Sequence, residues 1–580
     1  MTRISASQEY YNLGSFSRHI TTNSPDAQIW FDRGLTWIYA FNHEEAVHCF
    51  EQAIAHDCGC AMAHWGLAYA VGPNYNKPWD RFDRSDLSRS AKRGYVASRR
   101  AKELAGREGA AAEPRERAVI DAMLCRFDRR KPLTSTEVRL SALNRRYAVA
   151  MQRVYEAFGQ DDIEIAVLFA DALMNITPWA LWDLTTGQPA PSAPTLLVKE
   201  VLERALALSG AYTHPGLLHL YIHYVEMSPS PQLGSCAADC LRGLVPDAGH
   251  IHHMPTHLDV LAGDWERAIE SNYKATLADD KFLARTGPYN LYTFYRVHNY
   301  HSLIYAAMFA GQSRTALDAV TRMEKSVPED VLRMKSPPMA SWLENFMATW
   351  LHIMIRFGMW NDLIRAGLPR DQNLYCVTTA TTHYAKGLAY AATGNIEMAI
   401  RERDLFHKTR ALVPSSRRAY NSKATETLSI ASAMLNGEIA YRQGEFENAW
   451  KYLRRSVKLD DNLPYSEPWA WMQPSRHAYA ALLLERGHVQ EASMEYRADL
   501  GLDDTLIRPR RHPKNVWALQ GYHECLRRLG RDTEAREIEP DLRRALDVAD
   551  VPIWASCFCR LDVSNDQAVV PKECCRDSRL

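Results

Sequence analysis

Histidine recurs in this chain with a period of 34 residues. His219 and His253 are 34 positions apart, and so are His223 and His257. This period is the length of a tetratricopeptide unit, a helix–turn–helix that stacks on further copies of itself. It predicts that these four side chains occupy equivalent positions of two consecutive helical hairpins.

The same type of unit can be recognised in other parts of the chain. The first unit carries the signature residues Trp30, Gly34, Trp37, Ala46, Phe50 and Ala53. Later units show a turn glycine before their second helix, at Gly358, Gly394, Gly444, Gly487 and Gly530. Alternating, strand-like runs are scarce. We therefore expect an all-α fold, a tetratricopeptide-like helical-repeat superhelix (an α-solenoid).

Composition and repeat boundaries suggest how the chain is organised. We expect an N-terminal extension (1–25), N-terminal tetratricopeptide-like helices (26–160), central repeats with the histidine cluster (161–325), C-terminal repeats (326–550) and an irregular cysteine-containing tail (551–580). There is no apolar leader at the N-terminus, so we expect a cytoplasmic protein whose 12 cysteines are reduced.

Charge and hydropathy limit the partners. Lys plus Arg and Asp plus Glu both number 69, which gives no net charge to attract nucleic acid or an acidic membrane surface. No run of 18 apolar residues predicts a membrane-spanning helix. We expect a small-molecule substrate, no nucleic acid and no membrane, and self-association into a homo-oligomer stays open.

The histidines fall on one face of the first helix of each unit. At roughly 100° per residue, positions 2, 5, 9 and 12 of that helix share one side, apart from the positions that pack the repeats together. In three consecutive units, seven of these twelve positions hold histidine: His219, His223, His250, His253, His257, His298 and His301. Glu226, Tyr305 and Met308 hold three others. In tetratricopeptide proteins this side lines the concave groove, so we expect a His-lined groove.

Crowded imidazoles cannot all be protonated, and neutral imidazoles that converge are ligands for transition metals. We therefore predict a mono- or dinuclear metal site, with copper or iron ahead of zinc. The candidate ligands are His219, His223, Glu226, His250, His253, His257, His298 and His301. Glu226 could be a ligand, a bridging ligand or a proton-transfer base, and Tyr305 could move protons. Met308 would favour copper if it joined the site.

The leading hypothesis is a metal-dependent enzyme, an oxidoreductase that acts on a small organic substrate. The alternatives are a metal-assisted hydrolase or lyase at the same site, a non-catalytic scaffold that binds a peptide or anion, and coincidental packing of the histidines. A peptide groove is expected to carry Lys, Arg and Asn, whereas these helices carry His. The chain has no GxGxxG, P-loop, GxSxG or HExxH motif.

Other polar and aromatic residues receive smaller roles. We expect His252 to be structural and His214 to start a helix, whereas His352 and His477 contact substrate or have no role. The residues expected to shape the pocket are Trp65, Tyr69, Asn74, Tyr75, Asn175 and Trp179.

The histidine motifs resemble those of a group of bacterial and fungal tetratricopeptide-repeat proteins that share an HPGxxHxxIH…HxxHMPSH signature. The matching residues are His214-Pro215-Gly216, His219, His223, His250 and His253-Met254-Pro255-Thr256-His257, with Thr256 in place of serine. Cys60 to Gly66, Gly72 to Asn76, Pro513, Asn515 and Gly521 are also similar, so the resemblance spans most of residues 25 to 535. It implies the helical-repeat fold and small organic substrates of specialised metabolism.

Overall fold

The computed structural model of the chain describes residues 2–107, 112–127 and 137–561. Within these residues the secondary structure is helical, apart from isolated bridges and one hairpin in which β1 (Arg418–Ala419) pairs antiparallel with β2 (Ser422–Lys423). The prediction of an all-α protein is confirmed.

The α-helices of the described residues are numbered in chain order. Those of the first half are α1 (Pro25–Tyr39), α2 (His43–His56), α3 (Ala61–Ala70), α4 (Arg84–Ala105), α5 (Pro114–Met123), α6 (Glu137–Phe158), α7 (Ile163–Met174), α8 (Thr195–Leu206), α9 (Pro215–Glu226), α10 (Ser235–Leu241), α11 (Gly249–His253), α12 (Thr256–Ala262) and α13 (Trp265–Thr286). Those of the second half are α14 (Thr293–Phe309), α15 (Ser313–Lys325), α16 (Glu329–Leu332), α17 (Met339–Leu343), α18 (Thr349–Arg356), α19 (Trp360–Arg365), α20 (Cys376–Ala392), α21 (Ile396–Arg410), α22 (Ala424–Arg442), α23 (Phe446–Asp461), α24 (Ser475–Glu485), α25 (Val489–Leu500), α26 (Val516–Arg528) and α27 (Asp532–Val548). Short 3₁₀ helices lie at Trp79–Arg81, Ala211–Thr213, Pro231–Gly234, Glu344–Ala348 and Arg508–Arg510.

Successive helices pack as pairs joined by short turns. The most extensive contacts join α1 to α2, α20 to α21 and α22 to α23. All five predicted turn glycines have a positive φ; the values at Gly394 and Gly444 are 83° and 80°. A side chain would strain the backbone there, so glycine lets one helix end and the next begin. Asn395 then caps α21 by accepting a hydrogen bond from Met398 N–H at 3.2 Å.

The signature residues of the first tetratricopeptide repeat meet a packing requirement. The ring of Phe50, on α2, lies against Gly34 of α1 and Gly66 of α3. A Cβ at Gly34 would lie 2.8 Å from the ring, and one at Gly66 would also collide with it. Glycine at both positions therefore allows three successive helices to approach closely around one phenylalanine.

The chain forms two compact units. The first contains the residues up to Leu303, Ala319–Phe346 and Ile507–Pro509, and the second contains Ile304–Asp318, Met347–Leu506 and the chain from Arg510. Each unit has its own apolar core. All seven histidines of the predicted cluster belong to the first unit, whereas Tyr305 and Met308 belong to the second.

The five-part division of the chain predicted from the sequence stays a prediction. Residues 562–580 of the predicted tail, with Cys574 and Cys575, lie outside the described residues. The preceding residues of the tail differ from the expectation of reduced thiols, because Cys557 and Cys559 form a disulfide. None of the described helices combines the length and apolar character needed to cross a bilayer.

Candidate metal centre

Three helical segments of the first unit carry the clustered histidines. Helix α9 holds His219, His223 and Glu226, and it begins at Pro215, whose missing N–H is not needed in a first turn. His214 caps this helix by accepting a hydrogen bond from Leu217 N–H at 3.1 Å, so the predicted helix-start role is confirmed. The cap fixes where α9 starts and therefore which face its histidines share.

The second segment is divided at Met254 and Pro255 into the short helices α11 and α12. The Thr256 hydroxyl donates to the main-chain oxygen of His253 at 2.7 Å and holds this junction. His250 and His253 lie before the junction and His257 lies after it, and the third segment, α14, adds His298 and His301. A continuous helix was predicted here, but the interruption still leaves the rings of His253 and His257 in contact, with centroids 4.8 Å apart.

The first group of converging imidazoles, called the first triad, consists of His219, His223 and His250. One ring nitrogen from each lies within 4.8 Å of the others, and all three residues are at most 1% exposed. Among the described residues, the Nε2 atoms of His219 and His223 and both ring nitrogens of His250 find no hydrogen-bond partner. Buried polar atoms normally have one, so these nitrogens are available to a ligand.

The second triad consists of His253, His257 and His298. Nε2 of His253 lies 2.8 Å from Nε2 of His257 and 2.8 Å from Nε2 of His298. Three nitrogens that could bind a metal therefore meet at one point, which is buried: the three residues are between 1% and 9% exposed. The described residues thus contain two buried histidine triads, each of which could hold a metal ion.

Hydrogen bonds at Nδ1 fix which nitrogen keeps a lone pair. Nδ1 of His219 lies 2.5 Å from the main-chain oxygen of Tyr39, which can only accept a hydrogen bond. Nδ1 of His219 must therefore carry the proton, and Nε2 presents its lone pair to the first triad. Nδ1 of His223 similarly donates to Glu226 Oε1 at 2.8 Å.

The second triad is held in the same way. The Asn272 amide donates to the main-chain oxygen of Ala268 at 2.9 Å, so its Oδ1 faces Nδ1 of His253, 2.8 Å away. Nδ1 of His257 donates to Glu226 Oε2. The Nε2 atoms of His253 and His257 consequently face each other at 2.8 Å. Two lone pairs repel at that distance unless a cation or a shared proton lies between them.

Burial keeps five of the six imidazoles uncharged. It lowers the pKa of His219 and of His298 to about 3. It lowers the pKa of His223, His250 and His253 well below the usual value of about 6.5, and the neighbouring imidazoles lower these values further. Near pH 7 these five histidines are therefore neutral and able to bind a metal.

Glu226 connects the two triads. It is fully buried, and its two oxygens accept hydrogen bonds from His223 of the first triad and His257 of the second. His223, Glu226 and His257 also form a third group whose ligand atoms lie within 4.8 Å of one another. The carboxylate can therefore orient two imidazoles or itself act as a ligand.

Aromatic rings surround the first triad. The ring of Phe41 lies 4.4 Å from that of His219, 5.9 Å from His223 and 5.3 Å from His250. Tyr75 lies 4.9 Å and Trp179 lies 5.8 Å from the ring of His223. Phe41 and Trp179 have φ values of 55° and 60°, which are unusual for bulky residues and often occur at functional sites.

Several predicted site residues have their described contacts elsewhere. His301 is buried and packs against Phe346, with ring centroids 5.0 Å apart, and the metal-capable groups found among the described residues do not include it. Tyr305, in the second unit, packs against Phe309 at 4.6 Å. The main-chain oxygen of Met308 accepts a hydrogen bond from Trp517. The catalytic role of Tyr305 stays a prediction.

The other residues singled out in the sequence divide between the units. Nε2 of His252 donates to the main-chain oxygen of Pro246 at 2.9 Å, which suits the predicted structural role. In the second unit, His352 packs against Trp471 and His477 pairs with Asp499. Of the residues expected to shape the pocket, Tyr75 and Trp179 contact His223. The other four have their described contacts elsewhere. Trp65 stacks on Tyr69, and Tyr69 and Asn175 both form hydrogen bonds with Asp171. The Asn74 side chain accepts a hydrogen bond from Asn76 N–H within its own loop.

Sequence reasoning missed Tyr39, Phe41 and Asn272 as site residues. Tyr39 and Asn272 contribute only a hydrogen-bond acceptor, and Phe41 contributes an apolar ring, so none has the chemistry of a metal ligand. No sequence signal identifies Phe41, because its positive φ is visible only in the structure and the position after a helix more often holds glycine or asparagine.

No protein-family model and no curated protein matches this chain. Among solved structures, it is similar to the human IFIT1 dimer with m7Gppp-AAAA, at 12% identity over 92% of each chain with a TM-score of 0.30. It is also similar to the APC/C hetero-tetramer Cut9–Hcn1, at 13% identity over 75% of this chain and 74% of that chain with a TM-score of 0.26. A third similar structure is Naa15/Naa10 bound to HypK-THB, at 14% identity over 90% and 70% with a TM-score of 0.21. Likenesses this low carry no argument about function, and the resemblance to the bacterial and fungal repeat proteins stays a prediction.

Proposed function

We propose that this protein is a metal-dependent oxidoreductase that binds two transition-metal ions, one at each histidine triad, and acts on a small organic substrate. The first ion is held by His219, His223 and His250, and the second by His253, His257 and His298. The observation that carries the proposal is the set of acceptors that lie at Nδ1 of these histidines. Acceptors at Nδ1 direct the Nε2 lone pairs of His219, His223, His253 and His257 toward the triads.

Metal-binding histidines in proteins usually donate their second ring N–H to a carbonyl or carboxylate, which sets the tautomer and orients the ring. Tyr39, Glu226 and Asn272 supply these acceptors here. The Nε2 atoms of His253 and His257, 2.8 Å apart, need a cation or a shared proton between them, and a metal ion would supply the cation. This argument favours metal binding over coincidental packing and over a peptide groove.

The character of the ligands favours redox chemistry. Uncharged imidazoles do not offset the charge of an ion, and the rings of Phe41, Tyr75 and Trp179 make the surroundings of the first triad apolar. Such surroundings favour the less charged oxidation state and raise the reduction potential of the ion. Copper and iron can change between oxidation states at such a site. Zinc cannot, because it has a single stable oxidation state.

The protein's own residues have separate tasks in this proposal. The six imidazoles hold the ions, which supply electron-transfer or dioxygen chemistry when bound. Glu226, Tyr39 and Asn272 hold the imidazole protons at Nδ1. Phe41, Tyr75 and Trp179 limit access of water to the first triad. Glu226 also contacts one imidazole of each triad and is the candidate proton acceptor.

Metal analysis of the untagged protein tests the proposal. We expect two ions per chain after reconstitution with copper or iron, one for each triad. His219→Ala and His298→Ala should each lose one ion, and the double variant should lose both. His252→Ala is the matched control, because this buried histidine belongs to neither triad, and it should keep both ions.

A potentiometric titration of the loaded protein tests the redox part. The midpoint potential should lie above that of the same ion in water, and it should fall when Phe41→Ala admits water to the first triad. Protein that binds no transition metal, or that keeps its metal in the double variant, would contradict the proposal. Metal-free protein that captures a peptide ligand would instead support a scaffold.

A further inference from the structure

A buried guanidinium group in the first unit lacks the partners that burial requires. Arg126 is 1% exposed, and it forms no ion pair with any of the described residues. Its Nη2 donates to the main-chain oxygen of Pro73 at 2.6 Å, whereas Nε and Nη1 find no hydrogen-bond partner in this part of the chain. A charged donor without a partner is costly in a protein interior, so these two nitrogens indicate a missing acceptor.

Two tyrosine rings hold the guanidinium in place. Its Cζ lies 4.7 Å from the ring centroid of Tyr69, on α3, and 4.7 Å from that of Tyr147, on α6. The π-systems attract the positive charge, but they do not replace the hydrogen bonds that Nε and Nη1 lack. The rings therefore position Arg126 and leave its unpaired nitrogens to another group.

Asp171 is a nearby carboxylate, but it is used elsewhere. It accepts a hydrogen bond from the Tyr69 hydroxyl at 2.5 Å and one from the Asn175 amide at 2.9 Å. Burial raises the pKa of Asp171, and the charge of Arg126 offsets this rise only in part. Asp171 thus balances some of the charge of Arg126 at a distance without pairing with Nε or Nη1.

The chemistry of the neighbouring groups indicates an anion. The Tyr147 hydroxyl and Nε1 of Trp79 also find no hydrogen-bond partner among the described residues, and the short helix of Trp79 packs against α6. Guanidinium and indole nitrogens can only donate. A carboxylate offers two acceptor oxygens and one negative charge, which matches a single arginine. A dianion such as phosphate would bring one negative charge too many beside Asp171.

The loop that begins at Gly72 leaves room at the guanidinium and also reaches the first triad. A Cβ at Gly72 would lie 3.2 Å from both Nε and Cζ of Arg126, so glycine keeps this edge of the group uncovered. Three residues further along, the ring of Tyr75 lies 4.9 Å from that of His223. Three residues span at most about 10 Å, which is the length of a small organic molecule.

We propose that Arg126 binds the carboxylate of a small organic acid and, resting on the proposed function, that this acid is the substrate whose other end reaches the ion of the first triad. Nε and Nη1 of Arg126 donate to the carboxylate, and the Tyr147 hydroxyl is a further donor. Tyr69 and Tyr147 position the guanidinium before the acid binds.

Thermal unfolding of the metal-free full-length protein tests the carboxylate site. Acetate is compared with acetamide, which has the same shape without the charge, at constant ionic strength. Acetate should raise the unfolding temperature along a saturable curve, and acetamide should not. Leaving out the metals prevents acetate from acting as a metal ligand.

Three variants and one control locate the effect. Gly72→Ala places a methyl group beside Nε and should abolish the response to acetate. Tyr147→Phe keeps the ring and should raise the dissociation constant of acetate about fivefold. Arg126→Met should also abolish the response, and without acetate it should be at least as stable as the wild type, because it removes an unpaired buried charge. Tyr155→Phe, a buried tyrosine about two turns further along α6, is the matched control and should respond as the wild type does.

Equal responses to acetate and acetamide, or no response to either, would overturn the inference. A stronger response to phosphate than to acetate would contradict the choice of a carboxylate, and an acetate response that Gly72→Ala keeps would contradict the location. If Arg126→Met does not fold, Gly72→Ala and Tyr147→Phe decide. Protein that binds no metal but responds to acetate through Arg126 would refute the proposed function and keep the carboxylate site, whereas protein that binds both ions and ignores acetate would do the reverse.

Discussion

Replacing Glu226 with glutamine should lower the affinity of one triad for its metal ion and leave the affinity of the other triad unchanged. The carboxylate accepts a hydrogen bond on each oxygen, from His223 in one triad and from His257 in the other. An amide has one acceptor oxygen, and its nitrogen donates. The imidazole that faces the amide nitrogen must therefore move its proton to Nε2, which removes one lone pair from its triad.

The size of this effect follows from measured losses at comparable positions. Loss of an acceptor behind a metal-binding histidine typically lowers metal affinity about 10- to 100-fold, which corresponds to about 1.4 to 2.7 kcal/mol. A two-site titration of Glu226→Gln against a competing chelator should show one affinity reduced by this factor and one close to that of the wild type. Glu226→Ala removes the acceptor of both imidazoles and should lower the affinity for both ions.

Glu402→Gln is the matched control. Glu402 is a buried glutamate that binds Nδ1 of His383 at 2.6 Å in the second unit, outside either triad. This variant should keep both wild-type metal affinities. If Glu226→Gln retained both affinities, or lost both to the same extent, the assignment of the Nε2 lone pairs to the two triads would be wrong.

Two further predictions concern the metal-free protein. The pKa values of His219 and His298 are about 3 in the folded state and about 6.5 in the unfolded state. Between about pH 3 and pH 6.5 the unfolded chain therefore binds more protons than the folded chain. Stability should therefore fall as the pH decreases from 6.5 toward 3, by up to about 1.4 kcal/mol per pH unit for each such histidine, and a urea midpoint that is equal at pH 7 and pH 5 would contradict this. At Phe41, where φ is 55°, glycine should be less destabilising than alanine by about 1 kcal/mol, since both lose the ring but only glycine favours this backbone conformation. Urea denaturation of the two variants checks the order, and a more stable alanine variant would show that the backbone conformation contributes nothing.

The histidine triads could be predicted because their members lie on helices that are close in sequence. The 34-residue period places His219 and His253, and likewise His223 and His257, at equivalent positions, and a spacing of four residues puts two imidazoles on one face of a helix. The same reasoning identified His298 even though extra residues precede its unit. It also gave His301 a ligand role for which the described groups offer no support.

The acceptors behind the imidazoles could not be predicted in this way. Tyr39 is separated from His219 by 180 residues, and its contribution is a main-chain oxygen that every residue possesses. Helical periodicity describes one face of one helix, and it contains no information about which distant segment covers that face. The expectation of reduced cysteines agrees with the eight free cysteines of the described residues and is wrong for Cys557 and Cys559, which form a disulfide.

Sharing one carboxylate between two triads has a consequence for how such a protein can diverge. If a descendant lost His257, the fully buried Glu226 would lose the hydrogen bond that His257 donates to one of its oxygens. We therefore expect that homologues which have lost the histidines of one triad have also replaced the glutamate at position 226. Homologues should accordingly fall into two classes, those with both triads and the glutamate and those that lack a triad and the glutamate together.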